Sequence, residues 1–305
     1  MLQINFIREH RDRVVEGLKT RNFVDEDLAI VDQVIAIDET RRSTQTELDI
    51  SLAESNRISK EIGNLFKQGK RAAADTLKKQ VSELKTLQKD LSQKLNEAQD
   101  QLETELLNIP NIPHPSVPAG KLETDNEVYK AWNADLPELG EEAIPHWELA
   151  KKYSLFDLEL GVKITGAGFP LYRGKGAKLQ RALINFFLDE ADAAGYEEII
   201  PPHLVNEASA RGTGQLPDKE GQMYHATKDD LYLIPTAEVP ITNMYRDMIV
   251  SEKDFPIKMT GHTPCVRSEA GSYGAHVRGL NRVHQFDKVE IVRIEHPDKS
   301  YEALE

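Results

Sequence analysis

The chain has 305 residues, of which 39% are hydrophobic and 29% charged, with a net charge of −13; that apolar content suits a folded protein with a sizeable core and excludes a disordered one. Its longest uninterrupted apolar runs are a few residues, such as Phe186 to Leu188, so a helix of the roughly 20 apolar residues that spans a bilayer is excluded. The N-terminus, MLQINFIREHRDRVV, carries charges where a secretory signal needs an apolar region, and Cys265 is the single cysteine, so a reducing, cytoplasmic setting is expected.

In chain order, the first pattern is a stripe of Leu28, Val31, Ile35, Leu48, Leu52, Ile58, Ile62 and Leu65, mostly polar between Asp38 and Thr46. A second stripe has Leu77, Leu84, Leu91 and Ala98 every seven residues, with a parallel row at Val81, Leu95 and Leu102 that Gln88 interrupts. Such spacing keeps a narrow apolar seam on one helix face. The stripes meet at Lys67-Gln68-Gly69-Lys70, where Gly69 supplies a helix-ending conformation. An antiparallel helical hairpin follows, projecting as an arm.

Acidic chains are poor ligands for nucleic acid, because phosphate contacts supply most of that affinity. The charge here is segregated, however. Between Arg57 and Lys94 ten Lys/Arg stand against four Asp/Glu, a local balance of +6 that leaves −19 for the rest. The arm's tip therefore carries a basic set, Lys67, Lys70, Arg71, Lys78 and Lys79. These charges serve equally to solvate a coiled coil's polar faces; their segregation favours RNA, whose duplexes are read through shape, phosphates and 2′-hydroxyls.

The hairpin ends at Ile109, since Pro110, Pro113, Pro115 and Pro118 remove helical freedom. Asn108 to Gly120 reads as a linker, dividing the chain into residues 1–110 and 111–305. Lys178 to Ala194 is an amphipathic helix stopped by Gly195, Tyr196 to Pro202 an apolar strand, and Leu231 to Ile234 another. The coarse class is α+β, with helices on a mainly antiparallel sheet. The glycine-rich segment GVKITGAGFPLYRGKGAK is no P-loop, because five residues separate Gly168 from Gly174 and no Ser or Thr follows Lys175. It also lacks the third glycine of a dinucleotide fingerprint, so its glycines read as turns and close backbone approaches. Cys265 reads as a small core side chain.

The segment CVRSEAGSYGAHVRGLNRVHQF is two strands around a loop. Strand alternation puts Cys265, Arg267 and Glu269 on one face, and Phe286, Lys288 and Glu290 on one face of the returning strand, with Val283, Val289 and Ile291 on an apolar opposite face. Antiparallel pairing gathers Arg267, Glu269, Phe286 and Glu290 on one surface. A guanidinium forks onto phosphate oxygens, an exposed phenyl ring stacks on a purine, and carboxylates accept from amino or hydroxyl groups. Charge pairs across strands are also ordinary surface decoration.

These residues carry a family resemblance. RSEAGSYGAHVRGLNRVHQFDKVE resembles motif 2 of class II aminoacyl-tRNA synthetases, and in particular of the seryl-tRNA synthetases, with Arg282 and Phe286 in the returning strand. GYEEIIPPHLVNEASARGTGQLP resembles motif 1, with its proline at Pro202. LIPTAEVPITN resembles the serine-site segment, ITGAGFPLYRGKGAKLQRALINFFLD the entry to the catalytic domain, and the hairpin with SNRISKEIG the tRNA-binding arm. The resemblance covers essentially the whole chain.

It implies a helical tRNA-binding arm joined to a class II antiparallel sheet flanked by helices, and a homodimer formed partly through motif 1. It implies activation of L-serine with ATP to seryl-adenylate, then transfer of the seryl group to tRNA(Ser), and to tRNA(Sec) where one exists, with Mg2+ accompanying ATP. By position, Arg267 contacts the α-phosphate, Arg267, Ser268 and Glu269 form part of the ATP site, and Phe286 stacks on adenine. Thr236, Ala237, Glu238 and Glu290 line the serine pocket, and His276 and Arg278 meet the tRNA acceptor end. The family's motif 3 has no counterpart before Glu305, so the 305 residues alone are expected to be inactive. Two alternatives stand beside this reading: a non-catalytic tRNA-binding relative, which would not need the intact site residues, and a serine-family ligase charging a carrier protein, which would not need the arm.

Overall fold

The computed structural model describes residues 2–131, 137–268 and 279–305. The chain divides into two compact units, Met1–Asp135 and Leu136–Glu305.

In the first unit, α1 (Ile4–Glu9) and α2 (Arg11–Thr20) precede a hairpin of α3 (Asp25–Lys67) and α4 (Arg71–Leu106). At 1.5 Å per residue, the 43 residues of α3 extend about 65 Å. Gly69 turns the chain between them at φ 72°, a conformation that glycine adopts without steric cost. The hairpin's base is a core of Ile7, Val14, Leu18, Leu28, Val31, Val34, Leu102, Leu106 and Ile109 from all four helices and the chain just beyond α4. Ile112 packs against that core, and the carbonyls of Asn111 and Gly120 accept bonds from Arg21 and Asn22. The proline-rich stretch thus lies along α2.

The seam of α4 is the one expected: Leu91, Leu95, Ala98 and Leu102 are buried, and Leu77, Val81 and Leu84 are half-buried. The α3 seam differs at four places, one of them Thr44, which is buried within the stretch that looked polar. Val34 is buried where Ile35 was expected, and Ser51 is buried while Leu52 is exposed. The reason at Ser51 is its partner, because Gln88 Nε2 donates to the Ser51 carbonyl at 3.0 Å and to its hydroxyl at 3.3 Å. A polar rung therefore crosses the seam where Gln88 breaks the apolar row. Asp38, in the stretch that looked polar and solvated, is fully buried. Arg8 Nη1 donates to it at 2.8 Å, Arg41 Nη2 at 2.7 Å and Arg42 Nε at 3.0 Å, so a buried carboxylate ties α1 to α3. Burial opposes its ionisation, but the hydrogen bonds and charges of these arginines outweigh that and hold its carboxyl below the ordinary range.

The second unit begins with α5 (His146–Tyr153), β1 (Phe156–Asp157), α6 (Leu158–Ile164), β2 (Leu171–Tyr172) and α7 (Lys175–Ala193). Next come β3 (Glu197–Glu198), β4 (Leu204–Val205), α8 (Glu207–Gly212), β5 (His225–Ala226), β6 (Leu231–Leu233) and α9 (Glu238–Asn243). Two long strands, β7 (Ile257–Val266) and β8 (Gln285–Ile294), precede α10 (Ser300–Leu304). One sheet has the order β3-β7-β8 and a second β4-β6-β5. The first is mixed rather than uniformly antiparallel, because β3 pairs parallel to β7. The expected strand from Tyr196 to Pro202 shrinks to those two paired residues, extended by a bond from Ile199 N to the Thr260 carbonyl. Gly195 ends α7 at φ 79°.

Of the glycines near 161–176, Gly166 and Gly174 are turns at positive φ with open space around them, and Gly161, Gly168 and Gly176 are close approaches. A side chain at Gly161 would meet the Phe169 carbonyl at 1.7 Å, and one at Gly176 the Leu155 carbonyl at 1.8 Å.

Candidate active site

The site is built on β7 and β8, whose register sets Cys265 opposite Phe286, Thr263 opposite Lys288 and Gly261 opposite Glu290. Directly opposed residues of an antiparallel pair share a face. Phe286, Lys288 and Glu290 therefore line one surface over about 13 Å of strand. Arg267 extends the ladder beyond β7, donating its N–H to the His284 carbonyl at 2.8 Å, and lies on that same face by alternation. The expected gathering of Arg267, Phe286 and Glu290 is observed. Glu269, His276 and Arg278 lie outside the described residues.

Val289 and Ile291 lie on the face opposite the site, as expected, but that face is not where the core sits. Met259, Val292 and Ile294 continue the site face and pack under Ala237 and Ile241 of the α9 segment. The other side of the sheet carries His262 bonded to Asp287 at 2.7 Å and leaves Ile291 exposed. The site is thus the open end of an inward face whose other end is core, which is why one pair of strands holds both charges and methyl groups. Cys265 is fully buried on this face, and burial pushes its thiol up from the ordinary value, so it is a packed side chain and no nucleophile.

At one end of the face, Arg267 Nη2 donates to Gln222 Oε1 at 2.5 Å, and the Ser268 N–H donates to the Gln222 carbonyl at 2.9 Å. The Ser268 hydroxyl donates to the Gly221 carbonyl. The loop that presents Gln222 is itself held by Asp218, whose carboxylate accepts the N–H groups of Gln222 at 3.0 Å and Met223 at 2.8 Å. Burial works against the Asp218 carboxylate, yet these backbone bonds keep its carboxyl below the usual range. His284 secures the returning strand. Its ring stacks on Phe169 at 5.2 Å, its Nδ1 lies 3.0 Å from the Tyr224 hydroxyl, and its N–H donates to the Gly168 carbonyl at 2.7 Å. Leu280 N donates to His146 Nε2 at 2.8 Å.

At the other end, Thr236 is buried and its hydroxyl donates to Glu290 Oε2 at 2.6 Å. The same oxygen atom of Thr236 accepts from Lys288 Nζ at 3.1 Å and from Glu238 N at 3.2 Å. Lys288 also pairs with Glu290 Oε2. The Ala237 methyl belongs to the core, whereas the Glu238 side chain is exposed at the start of α9. Sequence reading missed three residues here: Lys288, Gln222 and His284. Lys288 sat visibly between Phe286 and Glu290 at strand spacing; nothing local marked the other two, which act through contacts 45 and 116 positions away.

In the first unit, Lys67, Lys70, Arg71, Lys78 and Lys79 are all exposed around the hairpin tip. Lys78 Nζ sits 4.6 Å from the centre of the Phe66 ring and 3.0 Å from Asp75 Oδ1.

Comparison with known proteins agrees with both halves. Residues 1–113 match the model of the seryl-tRNA synthetase N-terminal domain, and residues 222–305 that of the class II tRNA synthetase core domain (G, H, P, S and T). A serine–tRNA ligase of Salinibacter ruber is 49% identical over 305 residues, which is all of this chain and 71% of that protein. The crystal structure of seryl-tRNA synthetase from Pyrococcus horikoshii complexed with ATP superposes with a TM-score of 0.82 at 31% identity, covering 99% of this chain and 71% of that one. The cytoplasmic serine–tRNA ligase of Naegleria fowleri in complex with AMP gives 0.78 at 26% identity, covering 99% of this chain and 73% of that one. An arm with a basic tip, a two-stranded ribbon carrying Arg267, Phe286 and Glu290, and likeness to these ligases along the whole of this chain lead to one conclusion: the chain belongs to the seryl-tRNA synthetase family of class II aminoacyl-tRNA synthetases.

Proposed function

We propose that the β7–β8 face activates L-serine with ATP and passes the seryl group to the terminal adenosine of tRNA(Ser), and of tRNA(Sec) where one exists. The single observation that carries this reading is the alignment of a guanidinium, a phenyl ring and a half-buried carboxylate along one strand pair. In this reading Phe286 stacks on adenine, Arg267 meets the α-phosphate with Ser268 and Glu269 beside it, and Thr236, Glu238 and Glu290 take the serine ammonium and hydroxyl. Ala237 sets the backbone between them.

Serine's carboxylate attacks the α-phosphorus in line, so two anions must be held together while charge grows on the phosphate oxygens. Arg267, fixed by Gln222, supplies a cation that needs no proton transfer and little reorganisation. Magnesium would enter with the nucleotide substrate and offset its phosphate charge. A pocket group that pairs with the serine hydroxyl discriminates against alanine, which leaves it unpaired, by about 10⁴-fold, and threonine is excluded by the space its methyl needs. His276 and Arg278 contact the acceptor end.

The tip residues Lys67, Lys70, Arg71, Lys78 and Lys79 hold the tRNA, and residues 1–110 act as the tRNA-binding part with 111–305 as the catalytic part. A homodimer fits the half-exposed Leu179, Leu183 and Phe186 on α7 and the nearly fully exposed Ile200, apolar surface that a monomer leaves to water. The setting is cytoplasmic. Among the described residues, no helix is long and apolar enough to cross a membrane.

The test is serine-dependent pyrophosphate exchange by the full-length protein. Arg267→Ala is expected to lower kcat by about 10²–10³-fold, and parental exchange by that variant would remove Arg267 from the reaction.

A further inference from the structure

Resting on that serine-pocket reading, one side chain has a position that the reading does not use. Lys288 lies between Phe286 and Glu290 on the site face, donates to Thr236 Oγ1 at 3.1 Å and pairs with Glu290 Oε2. Its side chain is 40% exposed, while that of Glu290 is 19% exposed. A lysine head group and an amino acid's α-ammonium are the same chemical group, each with one positive charge and three donors. Two of them cannot share one carboxylate oxygen without repulsion, and the long, exposed lysine stem is the one free to move.

We infer that Lys288 holds the seat of the substrate ammonium on Glu290 and Thr236 in the empty pocket, and is displaced onto the substrate's carboxylate, making it a determinant of selectivity for zwitterions. An α-amino acid carries its carboxylate two bonds from its nitrogen, so an ammonium seated on Glu290 brings an anion beside the lysine it has just displaced. A simple amine must evict Lys288 and offers it nothing in return. A hydroxy acid offers an anion but cannot replace the lysine on Glu290. Only a ligand with both groups exchanges one ion pair for two.

The test titrates the full-length protein and its Lys288→Met variant with L-serine, serinol, which lacks the carboxylate, and 3-hydroxypropionate, which lacks the ammonium. With Lys288 gone, serinol is expected to bind at least about threefold more tightly and 3-hydroxypropionate at least about threefold more weakly, the size of a partly exposed charge contact. Lys288→Arg should restore the carboxylate ligand's binding. A shift of both ligands in the same direction, or of neither, overturns the inference, since a merely structural prop for Glu290 weakens both. Should Lys288→Met fail to fold, a structure of the parent with serine decides: Lys288 Nζ still on Glu290 Oε2 overturns it, and Lys288 beside the serine carboxylate supports it. A parent that binds no serine refutes the serine reading itself, and this inference with it.

Discussion

Replacing Thr236 by valine keeps the shape of a buried side chain and deletes one hydroxyl. That hydroxyl makes three contacts: a donation to Glu290 Oε2 at 2.6 Å, and acceptances from Lys288 Nζ at 3.1 Å and Glu238 N at 3.2 Å. The donation to a carboxylate is charge-assisted and is worth about 1.5–3 kcal/mol. The other two losses are smaller, because Lys288 keeps Glu290 and the Glu238 N–H belongs to an exposed residue at a helix start that water can reach. The sum is about 2–3 kcal/mol, or roughly 30- to 150-fold in kcat/KM for serine. Most of it should fall in KM, because the role proposed for Glu290, holding the ammonium, is the same in ground state and transition state. Thr236→Ser keeps the hydroxyl and removes one methyl group, so it should cost about 1 kcal/mol of stability and little activity. Pyrophosphate exchange over a range of serine concentrations, with unfolding midpoints measured in parallel, separates the two. Exchange by Thr236→Val within threefold of the parent, or equal damage from Thr236→Ser, would refute the reasoning.

Asp38→Asn should cost about 2–3 kcal/mol in urea unfolding, because three arginines lose a buried counter-charge while an oxygen acceptor remains. Asp38 is held below its ordinary value in the folded state, so its contribution is fully present above the unfolded carboxyl pKa of about 3.9 and is lost as pH falls through the lower folded value. The stability gap between parent and variant should close only below about pH 4; a gap that has closed by pH 6 would contradict the assignment. At Gly168, where φ is 83°, a Cβ would meet His284 Cδ2 at 2.2 Å. Gly168→Ala therefore combines left-handed strain with a clash and should destabilise by about 2–3 kcal/mol. It should also lower exchange, since the His284 carbonyl holds the Arg267 N–H; unchanged exchange in folded variant protein would show that this strand end tolerates displacement.

Much of the molecule is legible along the chain because its information is local. The seven-residue apolar period of α4, the glycine at 69 and the proline run after Ile109 each act on neighbours within a few residues, and strand alternation alone puts Phe286 and Glu290 on one face. The buried Asp38 was not legible. Its burial depends on Arg8 arriving from α1, 30 residues away, and a polar stretch otherwise reads as solvated. Ser51 entered the seam for the same kind of reason, its partner Gln88 lying on the other helix.

The sequence by itself determined the helical arm, the basic tip, the paired strands and the residue types on the site face, since periodicity and residue chemistry need no knowledge of what packs where. Tertiary structure alone decided that the site face runs on into the core under Ala237 and Ile241, that β3 joins the sheet in parallel, and that Gln222 meets the arginine while Lys288 meets the glutamate. Those outcomes depend on which distant groups can desolvate together with their hydrogen bonds satisfied, a condition that only the folded chain can meet.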